Sequence, residues 1–346
     1  MKEMIRYSFR DDYSEGCHPS VLKKLEQTNL LQQIGYGDDE YCNEAKEIIK
    51  KQINNKNADV HFVSGGTQAN LLVISSILKP YESVISADTG HINVHEAGAI
   101  EATGHKISYA VTEDGILRVD DIKTIIEEHT DEHMVKPAMV YISDATELGT
   151  VYKKNNLMEI SKFCKENNLM LYLDGARIGT ALTSVYNELT LEEVSNLVDV
   201  FYIGGTKNGA LIGEAIVINN DKLKENFRFN MKMRGALLAK GRILGIQFLE
   251  LFKNNLFFKL AENSNKTAQK LYNGIKELGY EFVVKPEANL LFPIFPNNII
   301  QKLLNNYRFH RIKKINNEKS IVRMVTSFNT PETIIDEFLN DLKKIT

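Results

Sequence analysis

Cysteine is scarce: Cys17, Cys42 and Cys164 are the three in 346 residues, far apart and odd in number. They imply no disulfide framework, which fits a reducing cytoplasm. Long apolar runs are missing as well. No window approaches the roughly 20 apolar residues of a membrane span, and the opening MKEMIRYSFRDDYSEG holds no apolar core of signal-peptide length. Charge of one sign is also lacking: the formal net charge is -3, which argues against nucleic acid or an anionic membrane as the main partner. Internal repeats, low-complexity tracts and Pro/Gly/Ser-rich linkers are not found. These gaps predict an ordinary soluble, cytoplasmic protein.

What is present suits that reading. Hydrophobic content of 43% and charged content of 25% are those of a globular chain. A chain of this length buries enough apolar surface to need no staple, and it suits one large α/β unit with a smaller one. From about 58 to 218, apolar runs at 60–63, 83–87, 138–143, 169–174, 200–204 and 214–218 alternate with amphipathic stretches such as TQANLLVISSILK, VDDIKTIIEEH and NLMEISKFCKENN. Strands alternating with helices predict a mostly parallel sheet flanked by helices on both faces. Beyond 219 the rhythm changes. Helical patterns over 234–254 and 261–278 precede strand candidates at 282–284, 290–295 and 320–327 and a closing helix PETIIDEFLNDLKK, a smaller α+β C-terminal domain. Helices around 19–29 and 39–53 are joined by IGYGDDE. The expected division is 1–57 as an N-terminal segment contributing to the small domain or an interface, 58–233 as the large domain, and 234–346 as long helix and small domain.

Open α/β sheets bind ligands at the carboxyl ends of their strands, and three elements fall there. In VSGGTQAN, Gly66 and Thr67 follow strand 60–63 and open a helix, where free N–H groups favour an anion; a plain glycine turn is the alternative. In LYLDGARIG, Asp174 ends an apolar strand. A buried carboxylate there needs a cation, either a pyridinium nitrogen or nearby Arg177 if Asp174 is merely a helix cap. In FYIGGTKNGALIGEA, Lys207 follows a strand among glycines. Desolvation favours its neutral amine and Schiff-base chemistry, whereas a lysine on a surface turn is the alternative. The order of the three, with Lys207 33 residues after Asp174, is that of pyridoxal-5′-phosphate (PLP) enzymes with the aspartate-aminotransferase-like fold, fold type I.

Taken together, IGYGDDEY, SGGTQAN, ADTGHINVHEAGAIEATGH, LYLDGARIG, GGTKNGA and VRMVTS resemble the threonine aldolase and aromatic amino-acid β-eliminating lyase family over nearly the whole chain. The resemblance implies that Gly66 and Thr67 hold the cofactor phosphate and that His91 stacks on the pyridine ring. It implies that Asp174 pairs with the ring nitrogen, that Arg177 lies near the phenolic oxygen and substrate, and that Lys207 carries PLP as a Schiff base. Arg323 would clamp the substrate carboxylate. Tyr36 and a basic residue of KMRGALLAKGR, either Lys240 or Arg242, would come near the cofactor of a neighbouring subunit, since members are homodimers or homotetramers with shared sites. The implied reaction is Cα–Cβ cleavage of β-hydroxy-α-amino acids such as L-threonine or L-allo-threonine to glycine and an aldehyde.

Two positions depart from the family pattern. Where typical threonine aldolases read ENTH, this chain has Asp144-Ala145-Thr146-Glu147, so Glu147 stands in place of a histidine thought to assist the β-hydroxyl; a carboxylate can also accept a proton. The N-terminal serine that contacts substrate in the family has Ser8 and Ser14 as possible matches. Other chemistries fit less well. His91 and His95 with Glu96 have a metal-ligand spacing, yet HExxH is missing and a stacking His91 accounts for the segment. There is no GxxxxGK[ST], GxGxxG or Gly-x-Ser-x-Gly, which counts against a dehydrogenase or a serine hydrolase. The remaining alternatives are a β-eliminating lyase or aminotransferase on another amino acid, and a non-catalytic PLP or amino-acid binding protein.

Overall fold

The computed structural model describes residues 5–345; residues 1–4 and 346, the ends of the first and last expected domains, lie outside the described residues. The chain opens with a two-residue strand, β1 (Tyr7–Ser8). The alternating region then forms one seven-stranded sheet from β2 (Asp59–Val63), β3 (Glu82–Ala87), β4 (Ile107–Ala110), β5 (Lys136–Ser143), β6 (Met170–Asp174), β7 (Val200–Gly204) and β8 (Glu214–Ile218). Its order is β2-β8-β7-β6-β5-β3-β4. Strands β7, β6, β5, β3 and β4 are parallel, while β8 pairs antiparallel to both β2 and β7. The carboxyl ends of β2, β3, β5, β6 and β7 and the amino end of β8 therefore share one edge. Strand β4 escapes the sequence reading because ISYA is short and lies at the sheet edge, with its last two residues only partly covered.

Period-two alternation divides the apolar residues between two faces. Val140, Ile142, Leu171, Leu173, Phe201 and Ile203 enter one core. Met139, Tyr141, Tyr172, Val200 and Tyr202 enter the other. Helices Gly66–Ile77, Val119–Glu128 and Lys154–Glu166 are among those that cover the sheet. One consequence bears on function: Tyr141, Tyr172 and Tyr202 each stand two residues before the end of a central strand, on the same face as Ser143, Asp174 and Gly204.

The smaller sheet is antiparallel and comprises β9 (Glu281–Phe282), β10 (Leu290–Leu291), β11 (Pro293–Pro296), β13 (His310–Lys314) and β14 (Lys319–Val325). Strand β12 (Tyr307–Arg308) pairs with β1, so the N-terminal segment joins the C-terminal part of the molecule. Helices Leu256–Glu277 and Glu332–Ile345 close its core around Leu271, Phe295, Met324 and Phe338.

The helix expected over 234–254 begins only at Arg242, and a short helix Phe227–Met233 precedes it. Gly235 ends the first helix at φ 70°. Its N–H reaches the Lys232 carbonyl at 3.2 Å, and the Ala236 N–H reaches the Met231 carbonyl at 2.8 Å. That is the glycine-terminated stop in which two carbonyls of the last turn are satisfied. Helix Arg242–Phe252 then lies against helix Glu40–Gln52. A Cβ on Gly245 would stand 2.5 Å from Cys42 Sγ, so only glycine permits this approach. Among the described residues, no helix is long and apolar enough to cross a membrane.

Candidate active site

The shared sheet edge opens into a pocket lined by Tyr13, Ser64, Gly65, Gly66, Thr67, His91, Ser143, Glu147, Asp174, Arg177, Thr206, Lys207 and Glu214. Each strand end contributes. The Ser64–Thr67 turn runs directly into helix Gly66–Ile77, whose first turn has no side-chain cap, so its N–H groups are available to an anion. Gly66 also permits a close approach: a Cβ there would stand 2.8 Å from the Tyr202 hydroxyl.

Asp174 is 3% exposed and carries four hydrogen bonds. Its Oδ1 accepts from the Tyr202 hydroxyl at 2.5 Å and the Ala176 N–H at 3.0 Å. Its Oδ2 accepts from the Tyr141 hydroxyl at 2.6 Å and Asn70 Nδ2 at 3.2 Å. Burial opposes ionisation, but the His91 imidazole and the two tyrosine hydroxyls outweigh it and hold the carboxyl below its ordinary range. Arg177 is not its partner. The guanidinium is taken by Asp12, with Nε donating to Oδ2 at 2.8 Å and Nη2 to Oδ1 at 3.1 Å. The helix-cap alternative, in which Asp174 pairs with Arg177, is thereby corrected.

Lys207 lies on the turn after β7, half-buried and facing the pocket. Burial, and then the Arg177 charge, push its ammonium below the usual lysine range. Glu214, at the first position of β8, is 5% exposed and accepts the Gly205 N–H at 2.7 Å. Burial pushes its carboxyl up to about 7 against the pull of Lys207. Across the pocket, Glu147 Oε1 accepts from the His91 backbone N–H at 2.9 Å and the Ser143 hydroxyl at 2.7 Å. Burial, reinforced by the Asp174 charge, raises its pKa over the pull of Ser143. His91 turns Nδ1 to Glu96 at 2.8 Å, and its ring centroid is 5.6 Å from that of His95.

Arg323 sits on β14 opposite His310, close enough to Arg177, Asp12 and Tyr13 to feel their charges. Burial and Arg177 lower its pKa. Its acidic neighbour Asp11 faces His310 at 3.6 Å instead. Of the residues named from sequence, Gly66, Thr67, His91, Glu147, Asp174, Arg177 and Lys207 line one pocket. Tyr36 and Lys240 do not reach it within this chain. Tyr36 lies under Lys232 Nζ at 4.6 Å, beside a separate depression. Lys240 and Arg242 border another; Arg242 donates to the carbonyls of Leu31 and Asn29, while Lys240 is exposed.

Sequence reasoning missed Asp12, Asn70, Glu214 and the tyrosines around Asp174, and met Glu96 only within a metal-ligand spacing. It looked for a serine near the N-terminus, yet the residues brought to the site are Asp12 and Tyr13. The tyrosines were legible in principle: YIS, YLD and YIG are three consecutive strand ends with Tyr at the same offset.

Comparison with known proteins agrees with this geometry. The family described as Beta-eliminating lyase matches residues 12–296. A low specificity L-threonine aldolase of a Pseudomonas species is 33% identical over 342 residues, covering 97% of this chain and 96% of that protein. A solved threonine aldolase of Leishmania major superposes with a TM-score of 0.97 at 47% identity, covering 98% of this chain and 99% of that one. An aspartate aminotransferase of Thermus thermophilus aligns with a TM-score of 0.74 at 13% identity, which shows the fold alone. The architecture is thus the aspartate-aminotransferase-like fold type I, and with matches of this length the chain belongs to the beta-eliminating lyase family.

Proposed function

We propose that the protein is a PLP-dependent aldehyde-lyase that cleaves the Cα–Cβ bond of β-hydroxy-α-amino acids such as L-threonine and L-allo-threonine, giving glycine and an aldehyde. The observation that carries this reading is the convergence on one pocket of an uncapped helix start at Gly66–Thr67, a multiply bonded Asp174, a desolvated Lys207 and Glu147. The residues fit PLP. Burial lowers the Lys207 ammonium, which favours the neutral amine that condenses with an aldehyde. Asp174 stays anionic at a place where a protonated ring nitrogen would offset its charge. Gly66 and Thr67 would hold the phosphate, and His91 would lie against the ring.

Bound there, PLP supplies an electron sink for the pair released at Cα. The remaining work belongs to side chains. Arg323, a planar cation without an ion-pair partner among the described residues, binds the substrate carboxylate with Arg177 beside it. Asp12 holds Arg177 in a fixed orientation. That anchoring would fix the orientation of the bonds at Cα, and so which of them breaks. Both hydrogen bonds to Glu147 fall on Oε1, and its raised pKa suits a group that takes the β-hydroxyl proton as the carbon–carbon bond opens.

The same reading includes a homodimer or homotetramer. Segment 30–36 exposes Leu30, Leu31, Ile34 and Tyr36, helix Phe227–Met233 exposes Phe229 and Met233, and the exposed Lys240 shares a depression with Leu31 and Ile34. The test is product analysis of PLP-loaded protein with L-threonine, L-allo-threonine, L-serine and aromatic amino acids. Glycine with an aldehyde is expected. Ammonia with a keto acid and no glycine would move the protein to β-elimination.

A further inference from the structure

One buried carboxylate has no task in the mechanism above. Glu96 follows the four-residue helix His91–Val94, and its side chain is 0% exposed. Its Oε1 meets His91 Nδ1 at 2.8 Å and accepts from Asn70 Nδ2 at 2.6 Å. Its Oε2 is buried with no partner among the described residues. Asn70 is itself fixed, because it accepts the Tyr172 hydroxyl at 2.7 Å and donates to Asp174 at 3.2 Å. Its amide orientation is thereby set: the oxygen faces Tyr172, and the NH2 group faces both carboxylates.

A buried carboxylate is stable only when a cation or several donors answer it. Among the described residues, no lysine or arginine pairs with Glu96, and Asn70 gives one N–H. The group left to answer it is the His91 imidazole, whose ring also lines the pocket. The other charged or titratable groups facing His91 are His95 on its own segment, Glu147 beyond β5, and Asp174 at the end of β6.

We propose that Glu96 is the positioning residue for His91: Oε1 accepts the Nδ1–H, so that Nε2 is the nitrogen offered to the pocket as proton acceptor. This rests on reading the pocket as the active site. A proton taken up at Nε2 from water breaks an O–H bond there, forms an N–H bond, and leaves a positive ring whose charge the Glu96 carboxylate offsets. Release to substrate breaks that bond and restores the neutral ring with Nδ1 still protonated. The carboxylate thus fixes the tautomer and the ring plane together, as a hydrogen-bonded partner does for any working imidazole. Asn70 donates to both Glu96 and Asp174, so the same network links His91 to the Asp174 carboxylate.

The first test is the tautomer in the unmutated protein, labelled with ¹⁵N-histidine and assigned by loss of the signal in His91→Gln. The expected pattern is Nδ1 protonated and Nε2 carrying the lone pair. A proton on Nε2, or a Glu96 that donates to an unprotonated Nδ1, would overturn the proposal. The second test is kinetic. Glu96→Ala is expected to lower kcat by roughly 10²-fold with KM little changed and the His91 tautomers mixed, and Glu96→Asp to restore both in part. A loss confined to KM, or no recovery with aspartate, counts against it. The tautomer is read without turnover, so a pocket that bound no PLP would leave that result standing, and failure of the two readings can be told apart.

Discussion

At the residue scale, the site depends on charges whose partners sit at hydrogen-bonding distance. Lys207 is lowered mainly by burial, and its replacement by alanine is expected to abolish the visible absorbance of lysine-bound PLP and bring turnover to background. A variant that kept that absorbance would remove Lys207 from its assigned role. Glu147→Gln keeps the shape of the side chain and loses its proton affinity. Aldol cleavage should fall by about 10²–10⁴-fold, the range of a lost general base, with PLP affinity unchanged; unaltered rates would show that another group takes the proton. Asp12 is a structural matter as well. Its carboxylate is 1% exposed, holds Arg177 through two bonds, and accepts from Asn289 Nδ2 at 3.0 Å. Asp12→Ala leaves a buried guanidinium unpaired, a loss of about 3–5 kcal/mol. Urea denaturation of the two proteins measures it, together with a raised KM for substrate.

At the element scale, what the sequence could reveal depended on whether the signal was local. The strands that become β5, β6 and β7 were readable because they are apolar on both faces, and the motifs at their ends were readable because chain direction places them at one edge. The meeting of Lys207 and Asp174 in one pocket came with that placement. Asp12 was not readable: it is far from Arg177 in sequence, and long-range contacts, the pairing of β1 with β12 and the Val325 N–H bond to the Phe9 carbonyl among them, bring the N-terminal segment to the pocket rim. The helix expected over 234–254 failed for a different reason. Its apolar periodicity runs through Gly235, but a glycine at positive φ stops the preceding helix, and periodicity alone carries no record of that torsion. Gly245 makes the same point with a measurable consequence. Its place in helix Arg242–Phe252 looks like a simple weakness, yet a Cβ would press within 2.5–2.8 Å of Cys42 Sγ, Cα and N. Gly245→Ala, which an isolated helix would welcome, is expected to destabilise the protein by about 1–3 kcal/mol through overpacking. A gain in the denaturation midpoint would mean that the two helices separate without cost.

At the scale of the whole molecule, gathering so many acids at one sheet edge makes folding stability depend on pH in two separate windows. Asp12 and Asp174 have lowered values in the fold, because Arg177 answers the first and His91 with the tyrosines answers the second over the cost of burial. Their contribution is present above the ordinary carboxylate range and is lost as pH falls through their folded values. Glu214 and Asp144 behave oppositely, since burial pushes each up to about 7. A carboxyl that stays protonated in the fold but ionises in the unfolded chain contributes stability that is complete below its ordinary value. That contribution disappears as pH rises through about 7. For the protein freed of cofactor, the denaturation free energy should therefore decline from about pH 5 to pH 8. Glu214→Gln, which cannot ionise, should flatten that decline by on the order of 2–3 kcal/mol. The comparison is of urea midpoints for the two proteins across that range. Parallel slopes would show that Glu214 is already ionised in the fold, with Lys207 holding its charge, and would place the buried proton on Asp144 instead.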